Sequence, residues 1–196
     1  MSILKSIAVL SLSATMLLAV TPHKKEKKHS EFKQIVKIGN KSSKKLLKTL
    51  GKNMKANMKK GGVIGALDFC SNEAYTLTQK VNSNLPTNVK VKRISAKYRS
   101  SVNKPDANEA KILKSLENLN SLHVVLPKHL IQKINKHTYK YYKPLVIKKP
   151  VCLKCHGDIS KNPELQKAIQ SRYPNDKATG YKMGDLRGVV VVTIKK

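Results

Sequence analysis

Near the C-terminal end of a 196-residue chain, Cys152, Leu153, Lys154, Cys155 and His156 spell CxxCH, and the remaining cysteine is Cys70. CxxCH is the attachment signature of c-type haem. Two thiols three positions apart can each form a thioether to a vinyl group on the same porphyrin edge, and the adjacent imidazole of His156 then faces the iron. The same residues support two other chemistries. Cys152, Cys155, His156 and the distant Cys70 make up a Cys3His zinc set. A CxxC pair can also act as a redox dithiol, although Gly157 and Asp158 follow it here with no βαβ pattern around them. Haem fits better than either, because the N-terminal sequence reads as an export signal and haem is attached covalently outside the cytoplasm. One haem c is therefore the expected cofactor, held by Cys152 and Cys155 and ligated by His156.

The export reading rests on the N-terminal residues. Lys5 precedes an apolar stretch over residues 7–20, interrupted only by Ser11, Ser13 and Thr15. This is the pattern of a secretory signal peptide or, left uncleaved, of a membrane anchor. The expected location is the periplasm or another extracytoplasmic compartment. Residues 1–22 are assigned to that segment, residues 23–31 to a basic tether carrying His23 and His29, and residues 32–196 to one globular domain. An odd number of cysteines in an exported chain argues for chemistry rather than a disulfide framework.

Lys and Arg total 40 against 11 Asp and Glu, a formal charge of +29. Such a surface attracts anions. The basic residues are spread along the whole length, with no recognition motif and no interleaved stacking aromatics, which argues against nucleic acid. The expected partners are an acidic redox protein and an anionic membrane surface. Aromatic residues make up 5% of the chain and Trp is absent, so the core is expected to lean on Leu, Val and Ile.

The elements that must position the motif follow from periodicity. Leu46, Leu47, Leu50, Met54 and Met58 recur at helical spacing and predict a long amphipathic helix over residues 32–58. Gly61 and Gly62 should break or bend it. A second helix is predicted from the stripe Val63, Leu67, Cys70, Ala74, Leu77 and Val81, which places Cys70 on the apolar face. Residues 89–95 read as a strand alternating Val89, Val91 and Arg93 against Lys90, Lys92 and Ile94. Asp106 and Glu109 form a capping pair after Pro105 and open a helix with Ile112, Leu113, Leu116 and Leu119 facing inward.

Residues 122–126 and 139–147 read as strands joined by a Lys/His-rich connection, and Pro144 demotes part of the second to an edge or bend. Asn162 and Pro163 start a short helix that Pro174 stops. A Gly-punctuated loop then leads to a last strand over residues 186–194, continuous enough at Val189 to Val192 to be buried on both faces.

What lies on the second face of the iron decides function. The candidates are Cys70, Met183, His123, His129, His137, or no side chain. Small cytochromes c place their motif near the N-terminus, and four-helix cytochromes end in a helix. This chain does neither.

Four stretches carry a more specific signal: residues 66–74 (ALDFCSNEA), 93–109 (RISAKYRSSVNKPDANE), 141–157 (YYKPLVIKKPVCLKCHG) and 173–190 (YPNDKATGYKMGDLRGVV). In them the chain resembles the PAS-like single-haem c-type domain family, found as stand-alone exported haem proteins of bacteria and as the sensor part of some histidine kinases. It departs from the family at Ser100 and Ser101, where Asn-Pro usually follows the arginine, and at Asn108, where an aromatic is usual. The resemblance implies an α+β fold, a PAS-like antiparallel sheet flanked by helices, with long helices at the N-terminus here. It also implies that His156 and Cys70 are the two axial ligands of the iron. Arg99 and Arg187 are candidates to pair with haem propionates, as guanidinium groups do with carboxylates.

With both axial positions filled, no site remains for a substrate and no enzyme is expected. Thiolate donation would favour ferric iron and a low potential. The expected function is electron transfer or redox sensing. A gas or redox sensor with a dissociable Cys70 is one alternative, and a zinc-stabilised Cys3His binding protein is another.

Overall fold

The computed structural model describes residues 22–196, with side chains from residue 29 onward. The apolar segment over residues 7–20 lies outside the described residues. Among those described, no helix is long and apolar enough to cross a membrane.

The chain runs α1 (Pro22–Asn72), α2 (Ala74–Ser83), β1 (Val89–Ile94), α3 (Ala107–Ser121), β2 (Leu130–Lys133), β3 (Thr138–Val146), α4 (Pro150–His156), α5 (Pro163–Arg172) and β4 (Leu186–Lys195). The strands form one antiparallel sheet in the order β1-β4-β3-β2. This is the α+β architecture expected from the sequence, an antiparallel sheet flanked by helices.

β4 is central, and Val189, Val190, Val191 and Val192 are all buried, so both faces of the sheet are covered. One face packs under α1 and α2, where Ile35, Leu46, Leu50, Phe69, Ala74 and Val81 meet Val89, Val91, Val190 and Val192. The other packs under α3, where Leu113 and Leu116 meet Ile94, Val189 and Val191. The few aromatics are concentrated here. Tyr139, Tyr141 and Tyr142 of β3 are the largest fully buried side chains, a core component that an aromatic-poor composition did not lead one to expect. Each phenol finds an acceptor at the edge of the core: Glu31 at 2.7 Å, Asn40 at 2.7 Å and Gln132 at 2.6 Å, respectively.

Helix α1 lies on Tyr141 because position 39 is glycine; a Cβ there would fall inside the Tyr141 ring. Gly61 and Gly62 do bend it, at φ −133°, ψ 25° and φ 59°, ψ −149°, the second of which favours a residue without Cβ. The bend turns the last part of α1 toward α5, where Leu67 packs on Leu165 and Ile169 and Asp68 pairs with Arg172. The predicted second helix is not continuous, because the chain leaves helix at Glu73 and restarts as α2. The helical turns run back from residue 32 through the basic segment to Pro22.

Helix α3 opens on the predicted capping box, with Asp106 and Glu109 exchanging side-chain and backbone hydrogen bonds. Leu113 and Leu116 face inward as expected, but Leu119 is exposed. Glu109 is fully buried and reaches the sheet, accepting from Lys92 at 2.8 Å and Lys140 at 2.9 Å. Residues 122–126 are not a strand. They form a loop off α3 with His123 at φ 57° and Val125 92% exposed. The edge strand is β2 instead, inside the supposed connection, where Ile131 and Gln132 pair with Tyr141 and Lys140. Apolar residues in 122–126 imitate a strand locally, but α3 ends too late for them to reach the sheet. Pro144 pairs with Val189 beyond the last residue that β2 covers, a stretch of β3 open on its other side.

Two outcomes test this packing. Gly39→Ala should lower stability by about 1–3 kcal/mol through overpacking on Tyr141, although alanine is the better helix former. Gly51→Ala, with open space around its Cβ, should raise it by up to about 1 kcal/mol; opposite signs in urea melts are the signature. Glu109→Ala should cost about 3 kcal/mol, the low end for a buried ion pair because Lys92 is partly exposed. Asp106→Asn keeps an N-cap acceptor and should change stability by less than about 1 kcal/mol.

Candidate haem site

The CxxCH residues form α4, a single short helix entered through Pro150 at its first position and left at Gly157. Residues at i and i+3 share a helix face, so the helix puts Cys152 and Cys155 on one side. Gly157 allows the tight exit, since a Cβ there would lie 2.7 Å from the Leu153 carbonyl oxygen. Cys152 and Leu153 pack against Ile147, Ala178 and Tyr181, which ties the helix to the loop between α5 and β4.

That loop wraps α4. Gly180 and Tyr181 donate backbone hydrogen bonds to Gly157 and His156, each at 2.9 Å. The ring of Tyr181 stands edge-on to the His156 imidazole, with centroids 6.3 Å apart. His156 Nδ1 lies 2.8 Å from the carbonyl oxygen of Ala178. A carbonyl only accepts, so Nδ1 carries the proton and Nε2 keeps a free lone pair. Burial, reinforced by Arg187, Arg99 and Arg93, pushes the His156 pKa down to about 3. The imidazole is therefore neutral at physiological pH. A neutral imidazole with one nitrogen tied to a carbonyl is the form that ligates a metal.

Arg99 locks the loop to the helix. Its Nε and Nη2 donate to the two carboxylate oxygens of Asp176, each at 3.1 Å, and Nη2 also donates to the Cys155 carbonyl at 2.8 Å. Both side chains are nearly buried, at 9% and 7% exposure. Asp176 also accepts from the Ala178 backbone at 2.9 Å. The expectation that Arg99 pairs with a propionate is thus met by a different carboxylate: its fork is filled by Asp176, and its role in this structure is to hold Cys155 and Ala178 in place.

Arg187 is placed differently. Its Nη1 donates to Ser95 Oγ at 2.9 Å and to the Lys97 carbonyl at 3.3 Å, and its guanidinium lies 5.3 Å from the Tyr181 ring centroid. Its Nε is buried with no hydrogen-bond partner. Among the described residues, no carboxylate pairs with it.

Cys70, in the last turns of α1, is exposed rather than packed on the apolar stripe as predicted. It is nonetheless close to the motif. Its thiol lies within electrostatic reach of Arg93, Arg99 and Arg187, and of Cys155. Burial is still the leading influence on it and raises its pKa.

The other proposed axial ligands are elsewhere. His137 lies in the β2–β3 hairpin, at the opposite end of the nine-residue β3 from α4, a distance of roughly 27 Å. His129 stacks on Tyr141. Met183 and His123 line an open cleft with Lys97, Glu117 and Asn120 whose walls include neither α4 nor Cys70. Among the described residues, no three His, Cys, Asp or Glu side chains converge closely enough to hold a metal ion, so the Cys3His zinc set is not assembled.

The donor set fits haem: two thiols on one helical turn, a neutral imidazole with a free nitrogen, a third thiol within electrostatic reach of Cys155, and an orphaned guanidinium nitrogen. Asp176, the Ala178 carbonyl and Tyr181 escaped the sequence reading as site residues, because loop residues at 176–181 carry no periodicity. Arg93 escaped it too, though a signal existed. It occupies an apolar row with Val89 and Val91, where an arginine is out of place.

The chain's similarity to known proteins can now be set beside this geometry. The Tll0287-like family (Tll0287) matches residues 23–195. No curated protein matches the chain. The crystal structure of the cyanobacterial heme-protein Tll0287 is similar, with a TM-score of 0.57 and 19% sequence identity over 85% of this chain and 96% of that one; at that identity the likeness is one of fold. The family match takes in every element from α2 to β4, nearly all of α1, and all four motif stretches, and the chain belongs to the Tll0287-like family.

Proposed function

We propose that this chain is an extracytoplasmic haem protein that holds one haem c through Cys152 and Cys155, with His156 and Cys70 as axial ligands, and that it works in electron transfer or redox sensing. The observation that carries the reading is the His156 imidazole, neutral, tied at Nδ1 to the Ala178 carbonyl and free at Nε2. The likeness to a cyanobacterial heme-protein supports it, and the CxxCH spacing supports covalent attachment.

Bound haem supplies a one-electron couple, and the protein contributes binding, orientation and electrostatics. The chain's own residues account for those contributions. The hydrogen bond to Ala178 fixes the imidazole ring and raises its basicity. Arg99 and Asp176 keep that carbonyl where it is. Leu153, Ala178 and Tyr181 line the motif with apolar surface. Were His156 and Cys70 both to ligate the iron, no position would be left for a substrate, and no catalytic turnover there is expected. Solvent access to Cys70 favours a second reading, in which that ligand dissociates and admits a diatomic gas.

The apolar segment over residues 7–20 supports export. On the exposed face of α1, Lys33, Lys37, Lys41, Lys44, Lys48 and Lys52 recur in steps of four and three, and the chain has no acidic residue between Glu31 and Asp68. This stripe suits an acidic redox partner or an anionic membrane surface, with no nucleic acid involved.

Protein matured in a host that attaches haem should show a Soret band that survives acid-acetone extraction, and Cys152→Ser with Cys155→Ser should abolish it; a colourless wild type sinks the reading. Cys70→Ala should change the ferric spectrum, and an unaltered spectrum removes the thiolate as a ligand. Carbon monoxide added to the reduced protein separates the two functions, since binding favours sensing and no binding favours electron transfer. Asp176→Ala leaves Arg99 buried without its partner and should cost about 3–5 kcal/mol by chemical denaturation, with a matching loss of haem-loaded protein.

A further inference from the structure

Among the described residues, two arginines at one end of the β1–β4 ladder have no acidic partner. Arg93 stands on β1 in the row of Val89 and Val91, facing α1, opposite Val190. Its side chain makes no hydrogen bond and no ion pair with a described residue; its electrostatic neighbours are the Cys70 thiol and the Tyr173 hydroxyl. Arg187, at the adjoining end of β4, has the buried, unpartnered Nε already described. Both guanidiniums lie within electrostatic reach of His156, and burial lowers the pKa of each.

Guanidinium groups held away from bulk water without a counter-ion are costly. Asp176 is bound bidentately to Arg99. The chain carries 11 acidic residues against 40 basic ones, yet among the described residues none pairs with Arg93 or Arg187. The energetic conflict is resolved by an anion that the chain does not supply. Such an anion would reach two forked donors that both lie within electrostatic reach of Cys70 and His156.

We propose that Arg93 and Arg187 form an anion subsite that takes the two propionate carboxylates of the haem. This rests on the haem reading above and adds to it a residue, Arg93, that the motif resemblance did not single out. A free inorganic anion such as phosphate offers the same chemistry from another source. Guanidinium–carboxylate pairs are short, charge-assisted and often bidentate, so this contact orients the macrocycle edge opposite the thioethers while Cys152 and Cys155 hold the other.

The test uses the haem-loaded protein and the resonance Raman band of propionate bending, which reports hydrogen bonding at the carboxylates. Arg93→Met and Arg187→Met should each shift the band to lower wavenumber. Arg93→Lys, which keeps the charge but loses the fork, should shift it part of the way. A band unmoved in all three variants overturns the subsite. If Arg93→Met does not mature, Arg93→Lys decides alone, and a wild-type band there has the same consequence. Added phosphate should leave the melting temperature of the wild-type holoprotein unchanged; a rise that Arg93→Met abolishes means that a free anion occupies the arginines with haem in place, and the proposal falls. Failure of the haem reading itself is separate, because it appears as a colourless wild type before any arginine variant is compared.

Discussion

A single hydrogen bond, His156 Nδ1–H to the Ala178 carbonyl at 2.8 Å, sets the conditions for everything else at the site. An imidazole can serve a metal only with one nitrogen free, and which nitrogen is free depends on what the other one does. The carbonyl in question belongs to a loop with no secondary structure of its own. Such a loop keeps a carbonyl at ligand-orienting distance only if it is held from several directions. Asp176 does this from within, through the Ala178 amide, and Arg99 does it from outside by bridging Asp176 to the Cys155 carbonyl. The backbone bonds from Gly180 and Tyr181 to the end of α4 close the circuit.

The arginines around this point have different duties despite identical chemistry. Arg99 is neutralised by Asp176 and acts as a structural clamp. Arg187 is held by neutral oxygens and by the Tyr181 ring, which leaves its charge uncompensated. Arg93 has no hydrogen-bond partner at all. In a chain with a surplus of 29 positive charges, surface lysines can be solvated, but these three are not on the open surface. Their charges add to the burial that keeps His156 neutral.

The sheet separates support from function. Its α3 face is closed by apolar packing and by Glu109, which draws Lys92 and Lys140 to a buried carboxylate. Its α1 face is apolar along most of the β1 row, at Val89 and Val91, and becomes cationic at Arg93. The Gly61–Gly62 bend aims the end of α1 at α5, and that end carries Cys70 within electrostatic reach of Arg93. Scaffold and site therefore meet at one end of the molecule, where α1 ends, β1 ends and α4 begins.

Local signals were sufficient wherever a residue acts on its own neighbourhood. The CxxCH turn, the Asp106–Glu109 capping box, the Asn162–Pro163 helix start, the glycine bend in α1 and the doubly buried run of β4 all rest on interactions within a few residues, and they stand in the structure where the sequence placed them. Readings that required knowledge of a distant surface went astray. Residues 122–126 look like a strand, but α3 extends past the point from which they could pair. Cys70 falls on a helical stripe whose neighbours Leu67 and Phe69 are buried, but its own position on α1 is exposed. Arg99 looked like a partner for a cofactor until Asp176, 77 residues further along the chain, took its fork. The sequence alone determined which atoms are available for haem chemistry, because residue type and spacing decide that. Only the tertiary structure decided which charges are already compensated, because an ion pair depends on distance in space and the chain order does not encode it.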